Sequence, residues 1–199
     1  MVTIPRPLLL LAVVALGLAA CGDDAADEAP AAASRPADLD DVRAVFADDL
    51  ADLGLQLTDR GGVLERDGYV ESTTGTHLAL YVEPIDEYSD DQYAEGILTT
   101  ARLLGPEILR RWDALESFDV CQEQPGTTTV DGEPDLAPHT QLDMTRAQVE
   151  ALDWDTLTLA ELLAVASDQA GEGIRLYVAD AIQASATFTD ARTDAGLSP

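Results

Sequence analysis

Apolar residues near the start of the chain's central region follow a helical repeat. They recur at intervals of three and four, as Leu39, Val42, Phe46, Leu50 and Leu53. This spacing places them on one face of a helix over 39–53. Gly54 follows at once, and glycine is typical just beyond a helix C-terminus. We therefore expect an amphipathic first helix that ends at Gly54.

The pattern then changes from a helical repeat to alternation, which predicts three or four short strands between residues 55 and 84. Asp67-Gly68 is a strong signal for a tight hairpin turn joining strands at 63–66 and 69–72. Thr74-Gly75 predicts the next turn. The strand after that turn places three apolar side chains on one face, namely Leu78, Leu80 and Val82.

Further helices are marked by three capping boxes, in which a Ser or Thr is followed three residues later by Gln or Glu. The pairs are Ser89 with Gln92, Thr145 with Gln148, and Thr158 with Glu161. We expect Gly105-Pro106 to break the first of these helices, leaving a short second piece that ends near Trp112. The other two helices are expected at about 146–152 and 159–169. Both Trp112 and Trp154 are expected to pack in the core.

Alternating segments at 117–123 and 174–179 complete the predicted strands. Strands interspersed with helices, beginning with a meander, indicate an α+β fold: a mostly antiparallel sheet with helices packed on one face. The alternation within each strand predicts that the other face is solvent-exposed. We expect a single domain over 38–189 and a flexible tail over 190–199.

The N-terminal residues have a different character. Arg6 precedes an apolar run over 8–20, which is shorter than the roughly 20 residues that a spanning helix needs. The run closes on small residues and a cysteine, Leu18-Ala19-Ala20-Cys21. This order resembles the lipobox of bacterial lipoproteins, Leu-[Ala/Ser]-[Gly/Ala]-Cys.

The resemblance implies that residues 1–20 are a signal peptide and that Cys21 carries a diacylglyceryl group after cleavage. Residues 21–37 contain no large apolar side chain and are expected to be a disordered acidic, Ala-rich tether. The implied location is the extracytoplasmic face of the cell membrane, with a Gram-positive, high-GC bacterium favoured by the lysine-free, Ala-rich composition. An ordinary secretory signal with Cys21 as a free thiol is the alternative.

The formal net charge of −27 excludes one class of partner. Nucleic acids are bound by cationic contacts that release counterions, and this surface repels phosphate backbones. Anionic lipid headgroups are repelled as well, so we expect membrane contact through the covalent lipid alone. The acidity is explained by solubility or by a saline habitat.

Conventional catalytic side chains are few. His77, Cys121 and His139 are the candidate functional residues, but their spacing matches no zinc or thiol-protease motif. Asp119 and Glu123 are expected to raise the pKa of the Cys121 thiol. We therefore predict no catalytic set, no metal site and no cofactor. The Gly- and Pro-rich loop over 124–141 is the best candidate for a functional surface.

These observations predict a non-catalytic envelope lipoprotein that binds a partner protein or a small ligand. An envelope hydrolase that uses His77 or Cys121 is the first alternative. An acidic spacer domain without a ligand is the second.

Overall fold

The computed structural model describes residues 34–67, 74–125, 138–167 and 174–197. The predicted signal peptide, Cys21 and most of the predicted tether lie outside these ranges, as does most of the loop over 124–141. Within the described ranges no helix has the length and apolar composition needed to cross a membrane.

The described residues form one six-stranded sheet and six helices. The strands are β1 (Leu55–Asp67), β2 (Thr74–Pro84), β3 (Leu115–Gln122), β4 (Thr140–Thr145), β5 (Ala166–Ser167) and β6 (Ile174–Val178). The helices are α1 (Leu39–Asp52), α2 (Asp90–Arg111), α3 (Arg146–Glu150), α4 (Leu159–Val165), α5 (Asp180–Gln183) and α6 (Ala186–Asp194). The strand order is β1-β2-β3-β4-β6-β5. The pairs β2–β3 and β5–β6 are parallel and the other three pairs are antiparallel, which confirms the predicted α+β class.

The helices cover one face of this sheet, which we call the apolar face. Its side chains are almost completely buried: Leu78, Leu80, Val82, Phe118, Val120, Leu142 and Met144. Helix α2 lies against β3 and β4 and also contacts the four shorter helices α3–α6. All three predicted capping boxes are present, at Ser89, Thr145 and Thr158. Both tryptophans are buried, as expected.

The predicted break at Gly105-Pro106 is wrong, because α2 continues through Pro106 to Arg111. Proline removes one helical hydrogen bond, but packing against the sheet stabilises the helix on both sides of this position. Gly105 permits this close packing. A Cβ atom there would lie 3.1 Å from Cζ of Phe118, so the sheet approaches the helix backbone directly at this point.

The predicted hairpin is also different from the observed one. β1 is a single long strand, and its residues 63–66 pair with residues 75–78 of β2, where the Thr74-Gly75 turn was predicted. The predicted strand at 69–72 lies outside the described ranges. A register shift between Leu57 and Gly61 divides β1. Gly61 has φ 92°, and a Cβ atom there would lie only 2.2 Å from the carbonyl oxygen of Ala79. The glycine therefore makes the bulge possible.

The folded domain extends beyond the predicted range of 38–189 at both ends. Pro36 is buried, and the amide of Ala114 donates to the Ser34 carbonyl at 2.8 Å, so the last predicted tether residues belong to the domain. At the other end, α6 includes residues 190–194 of the predicted flexible tail, and Ala191 is buried against the core. Helix α4 ends at Val165, and β5 takes the place of its predicted last turn.

Candidate functional site

The sheet face opposite the helices, which we call the polar face, is buried at its centre. Ser117 is 4% exposed, His77 3%, Asp143 2%, and Asp119 and Cys121 1% each. The predicted solvent-exposed second face is therefore wrong at this centre. Alternation separates the two faces of a strand, but it cannot distinguish a buried polar layer from a solvated one.

Register brings the charged members of this face together. Asp119 in β3 pairs directly with Asp143 in β4, and Asp143 pairs with Arg175 in β6. On the other side Asp119 adjoins Ala79 of β2, a small residue that leaves room beside the carboxylate. Like charges directly opposite one another across a sheet destabilise it. Two facing carboxylates at this depth need a compensating positive charge.

His77 contacts one of these carboxylates from β2. Its Nε2 atom lies 3.3 Å from Oδ2 of Asp119. Its other ring nitrogen, Nδ1, lies 2.8 Å from Oγ of Ser117. One ligand-type atom from each of His77, Asp119 and Asp143 can be chosen so that all three lie within 4.8 Å of one another. We call these three residues the His–Asp–Asp cluster.

The cluster contains buried polar atoms with unused bonding capacity. Neither Nε2 of His77 nor Oδ1 of Asp119 has a hydrogen-bond partner among the residues that the structure describes, since the 3.3 Å contact lacks hydrogen-bond geometry. Gln141 donates to Oδ2 of Asp119 at 3.3 Å, and Nη1 of Arg175 lies 3.8 Å from Oδ2 of Asp143. Buried polar atoms are nearly always hydrogen-bonded, so such atoms clustered in one place point to a ligand.

Cys121 lies on the same face, but its thiol is in an environment that disfavours reactivity. Burial is the main cause that raises the pKa of its thiol, and the charges of Asp119 and Asp143 raise it further. The predicted direction is confirmed, but the second carboxylate is Asp143 rather than Glu123. Glu123 instead pairs with Arg60, whose guanidinium lies 4.3 Å above the Tyr81 ring. A thiol in this environment is a poor nucleophile.

His139 does not join the other candidate residues. Its amide donates to the carbonyl of Gln122 at the end of β3, whereas His77 pairs with Ser117 near the beginning of that strand. The His139 ring lies 4.9 Å from the Tyr93 ring of α2, and its Nε2 atom lies 2.9 Å from Oε1 of Gln124. The two histidines therefore belong to different parts of the domain. Residues 126–137 of the loop over 124–141 lie outside the described ranges.

Sequence reasoning identified His77 but missed Ser117, Asp119 and Asp143. A signal for the two acids was present, because aspartate is uncommon in strands and each stands between apolar residues. Asp119 is flanked by Phe118 and Val120, and Asp143 by Leu142 and Met144. Only the register between β3 and β4 shows that these two positions are neighbours.

The arrangement offers two kinds of chemistry. An imidazole nitrogen with two carboxylates is a donor set for a divalent cation. The line Ser117–His77–Asp119 also has the connectivity of a serine hydrolase relay, in which a histidine contacts a hydroxyl and an acid. Comparison with known proteins finds no matching family model, no matching curated protein and no matching solved structure.

Proposed function

We propose that this chain is a lipid-anchored extracytoplasmic protein of a bacterial envelope, from a Gram-positive, high-GC species, whose domain binds a small ligand or a partner without catalysis. The polar face is the binding site. The observation that carries the binding role is the buried His–Asp–Asp cluster with its unpartnered atoms. Such a group is costly to bury and contributes little to folding, which is typical of a functional site.

Sequence and charge support the anchor. The apolar run over 8–20 ends at Cys21 in lipobox order. A net charge of −27 repels anionic headgroups, so acyl chains are the only attraction to a bilayer that the composition offers. Two or more acyl chains give stable attachment at about 0.8 kcal/mol for each buried CH₂.

The two cysteines of the chain provide a matched test of the anchor. We expect Cys21→Ala to abolish lipid modification and membrane attachment, and Cys121→Ala to leave both unchanged. Fractionation of cells and mass spectrometry of the N-terminal peptide measure the outcome. An unmodified, uncleaved protein in the cytosol would overturn the anchor, as would a Cys21→Ala protein that remains in the membrane fraction.

The binding role is tested by native mass spectrometry of the full chain, released in mild detergent. We expect a bound mass that is lost in Asp119→Asn and kept in Thr100→Val, a substitution at a buried residue of α2. Crosslinking in intact cells adds a test for a protein partner. If the wild type and every variant have only the mass of the protein without a bound ligand, and crosslinking captures no consistent partner, the spacer alternative would be favoured.

A hydrolase is the second candidate, and the 2.8 Å contact between His77 and Ser117 is the observation in its favour. It places Ser117, rather than Cys121, in the position of nucleophile. Two observations weigh against it: Ser117 is 4% exposed, and His77 lacks a well-formed hydrogen bond to Asp119. We expect no labelling by a fluorophosphonate probe; labelling that Ser117→Ala removes would establish the hydrolase instead.

A further inference from the structure

We propose that the His–Asp–Asp cluster binds one divalent transition-metal ion of the zinc class, with ligands from His77, Asp119 and Asp143. The inference rests on the proposed binding role of the domain but is independent of the lipid anchor. It departs from the sequence-based expectation of no metal site. That expectation considered a site built from both histidines, and only His77 belongs to this cluster.

The spacing of the three ligand-type atoms is compatible with one shared ion after rotation of the side chains. Zinc lies about 2.0–2.2 Å from nitrogen and oxygen ligands, and tetrahedral geometry places two such ligand atoms about 3.3–3.6 Å apart. The three ligand-type atoms of the cluster lie within 4.8 Å of one another. Side-chain rotation has to bring these atoms roughly an ångström closer together to meet tetrahedral geometry.

Each proposed ligand has a polar neighbour that orients it. Nδ1 of His77 lies 2.8 Å from Oγ of Ser117. With the Nδ1 proton donated to Ser117, Nε2 presents its lone pair to the ion. Gln141 donates to Asp119, and Arg175 lies beside Asp143. Outer partners of this kind are characteristic of metal ligands, because they fix the ligand orientation and the histidine tautomer.

Charge supplies an independent reason for a cation. The facing carboxylates of Asp119 and Asp143 carry two negative charges at a depth where each is nearly inaccessible to solvent. Nη1 of Arg175 lies 3.8 Å from Oδ2 of Asp143. A divalent ion between the carboxylates would neutralise both charges at close range.

The half-buried charge of Arg146 is satisfied by the protein itself. The Arg146 guanidinium donates to the main-chain carbonyls of Leu109, Trp112 and Leu115 at 2.7–3.0 Å. This network is complete without a ligand. The His–Asp–Asp cluster retains the free atoms Nε2 of His77 and Oδ1 of Asp119, both of which are ligand types for a metal.

The donor chemistry selects the class of ion. Calcium and magnesium take oxygen ligands, whereas an imidazole nitrogen suits zinc and its first-row neighbours. Three protein ligands would leave at least one coordination position of a tetrahedral ion for water or another small ligand.

The test is titration of the full chain, purified in detergent and freed of metal with a chelator, with ZnCl₂, MnCl₂ and CaCl₂ by isothermal calorimetry. We expect one zinc ion per chain, and a manganese affinity below that of zinc. Calcium should bind only weakly. Asp119→Asn and His77→Gln should each weaken zinc binding by more than 100-fold. Ser117→Ala should weaken it by about 10- to 100-fold, the usual effect of losing an outer partner.

Thr100→Val is the matched control. Thr100 is 1% exposed and its hydroxyl also lacks a hydrogen-bond partner among the described residues, but it lies on α2. Its substitution should leave zinc affinity unchanged. Thermal unfolding with and without zinc is a second measurement: zinc should raise the Tm of the wild type and of Thr100→Val, and not that of Asp119→Asn.

Three results would overturn the proposal. The first is the absence of stoichiometric zinc binding. The second is binding that survives both Asp119→Asn and His77→Gln, which would assign the ion to the acidic surface. The third is calcium binding as tight as that of zinc and insensitive to His77→Gln. None of these three results bears on the lipid anchor, an organic ligand or a protein partner. Those are tested separately by the experiments given for the proposed function.

Discussion

The two faces of the sheet are made by alternate residues of the same strands, yet they contain different chemistry. Phe118 points into the helix-covered core, and its chain neighbour Asp119 lies in the His–Asp–Asp cluster; both are at most 1% exposed. The two side chains are therefore buried to the same extent, but their burial has different effects on stability. Apolar burial stabilises by about 25 cal/mol per Å². Burial of a carboxylate costs free energy unless the charge is compensated.

Under the proposed function, this contrast separates residues that stabilise the fold from residues that bind a ligand within one strand. The apolar face holds the domain together, and the polar face tolerates two opposed acids. Natural proteins retain such destabilising groups where they serve a function. Substitutions at the adjacent residues Phe118 and Asp119 of β3 should therefore change the free energy of unfolding in opposite directions.

The largest expected effect is on the apolar face. Phe118→Ala should lower the free energy of unfolding by about 3–5 kcal/mol, because it removes a fully buried aromatic side chain and leaves a cavity. Urea denaturation measures it. Tyr177→Ala, at a position that is 46% exposed on the polar side of β6, is the control and should cost less than about 1 kcal/mol. A loss below about 1 kcal/mol for Phe118→Ala would contradict the division between the faces.

An intermediate effect comes from the thiol on the polar face. The pKa of the Cys121 thiol is higher in the folded protein than in the unfolded chain. Above the ordinary pKa of a thiol, the folded protein therefore keeps a proton that the unfolded chain has lost. Stability from this group is present below pH 9, the ordinary pKa of the thiol, and falls as pH rises above it. We expect a loss of about 1.4 kcal/mol per pH unit above that value.

Urea denaturation between pH 8 and 10 measures this slope, and Cys121→Ala should abolish it. Tyr93 adds a loss of the same sign only as pH approaches 10, since burial raises the pKa of its phenol to about 12 and an unfolded tyrosine titrates near 10. Because Tyr93 is present in both proteins, the difference between their slopes reports Cys121 alone. An unchanged slope in Cys121→Ala would show that another group is responsible.

The smallest expected effect has the opposite sign. In the presence of a chelator, Asp119→Asn should raise the free energy of unfolding by up to about 1 kcal/mol, because it removes one of two facing charges and keeps the side-chain shape. Urea denaturation at pH 7 measures it. A loss of about 3 kcal/mol or more is the cost of breaking a buried charge pair. That result would make the cluster a structural network of the fold.

The apolar face and the helix starts could be predicted from sequence because their signals are local. Spacing defined the α1 stripe, and the Ser89, Thr145 and Thr158 caps depend on residues three apart. Pro106 misled the prediction because packing of α2 on Phe118 overrides a local propensity. The cluster escaped prediction because its members are 24 or more residues apart in sequence, and only strand register makes them neighbours.

The parallel pairing of β2 with β3 has a consequence for when the cluster exists. His77 reaches Asp119 only after α2 has carried the chain back across the sheet, and Asp143 follows on the next strand. A polypeptide threaded through a membrane in extended form contains these residues but not their arrangement. Under the proposed export, a ligand of the polar face would have to be acquired in the compartment where the domain folds, and its supply there would set the fraction of protein molecules that bind it.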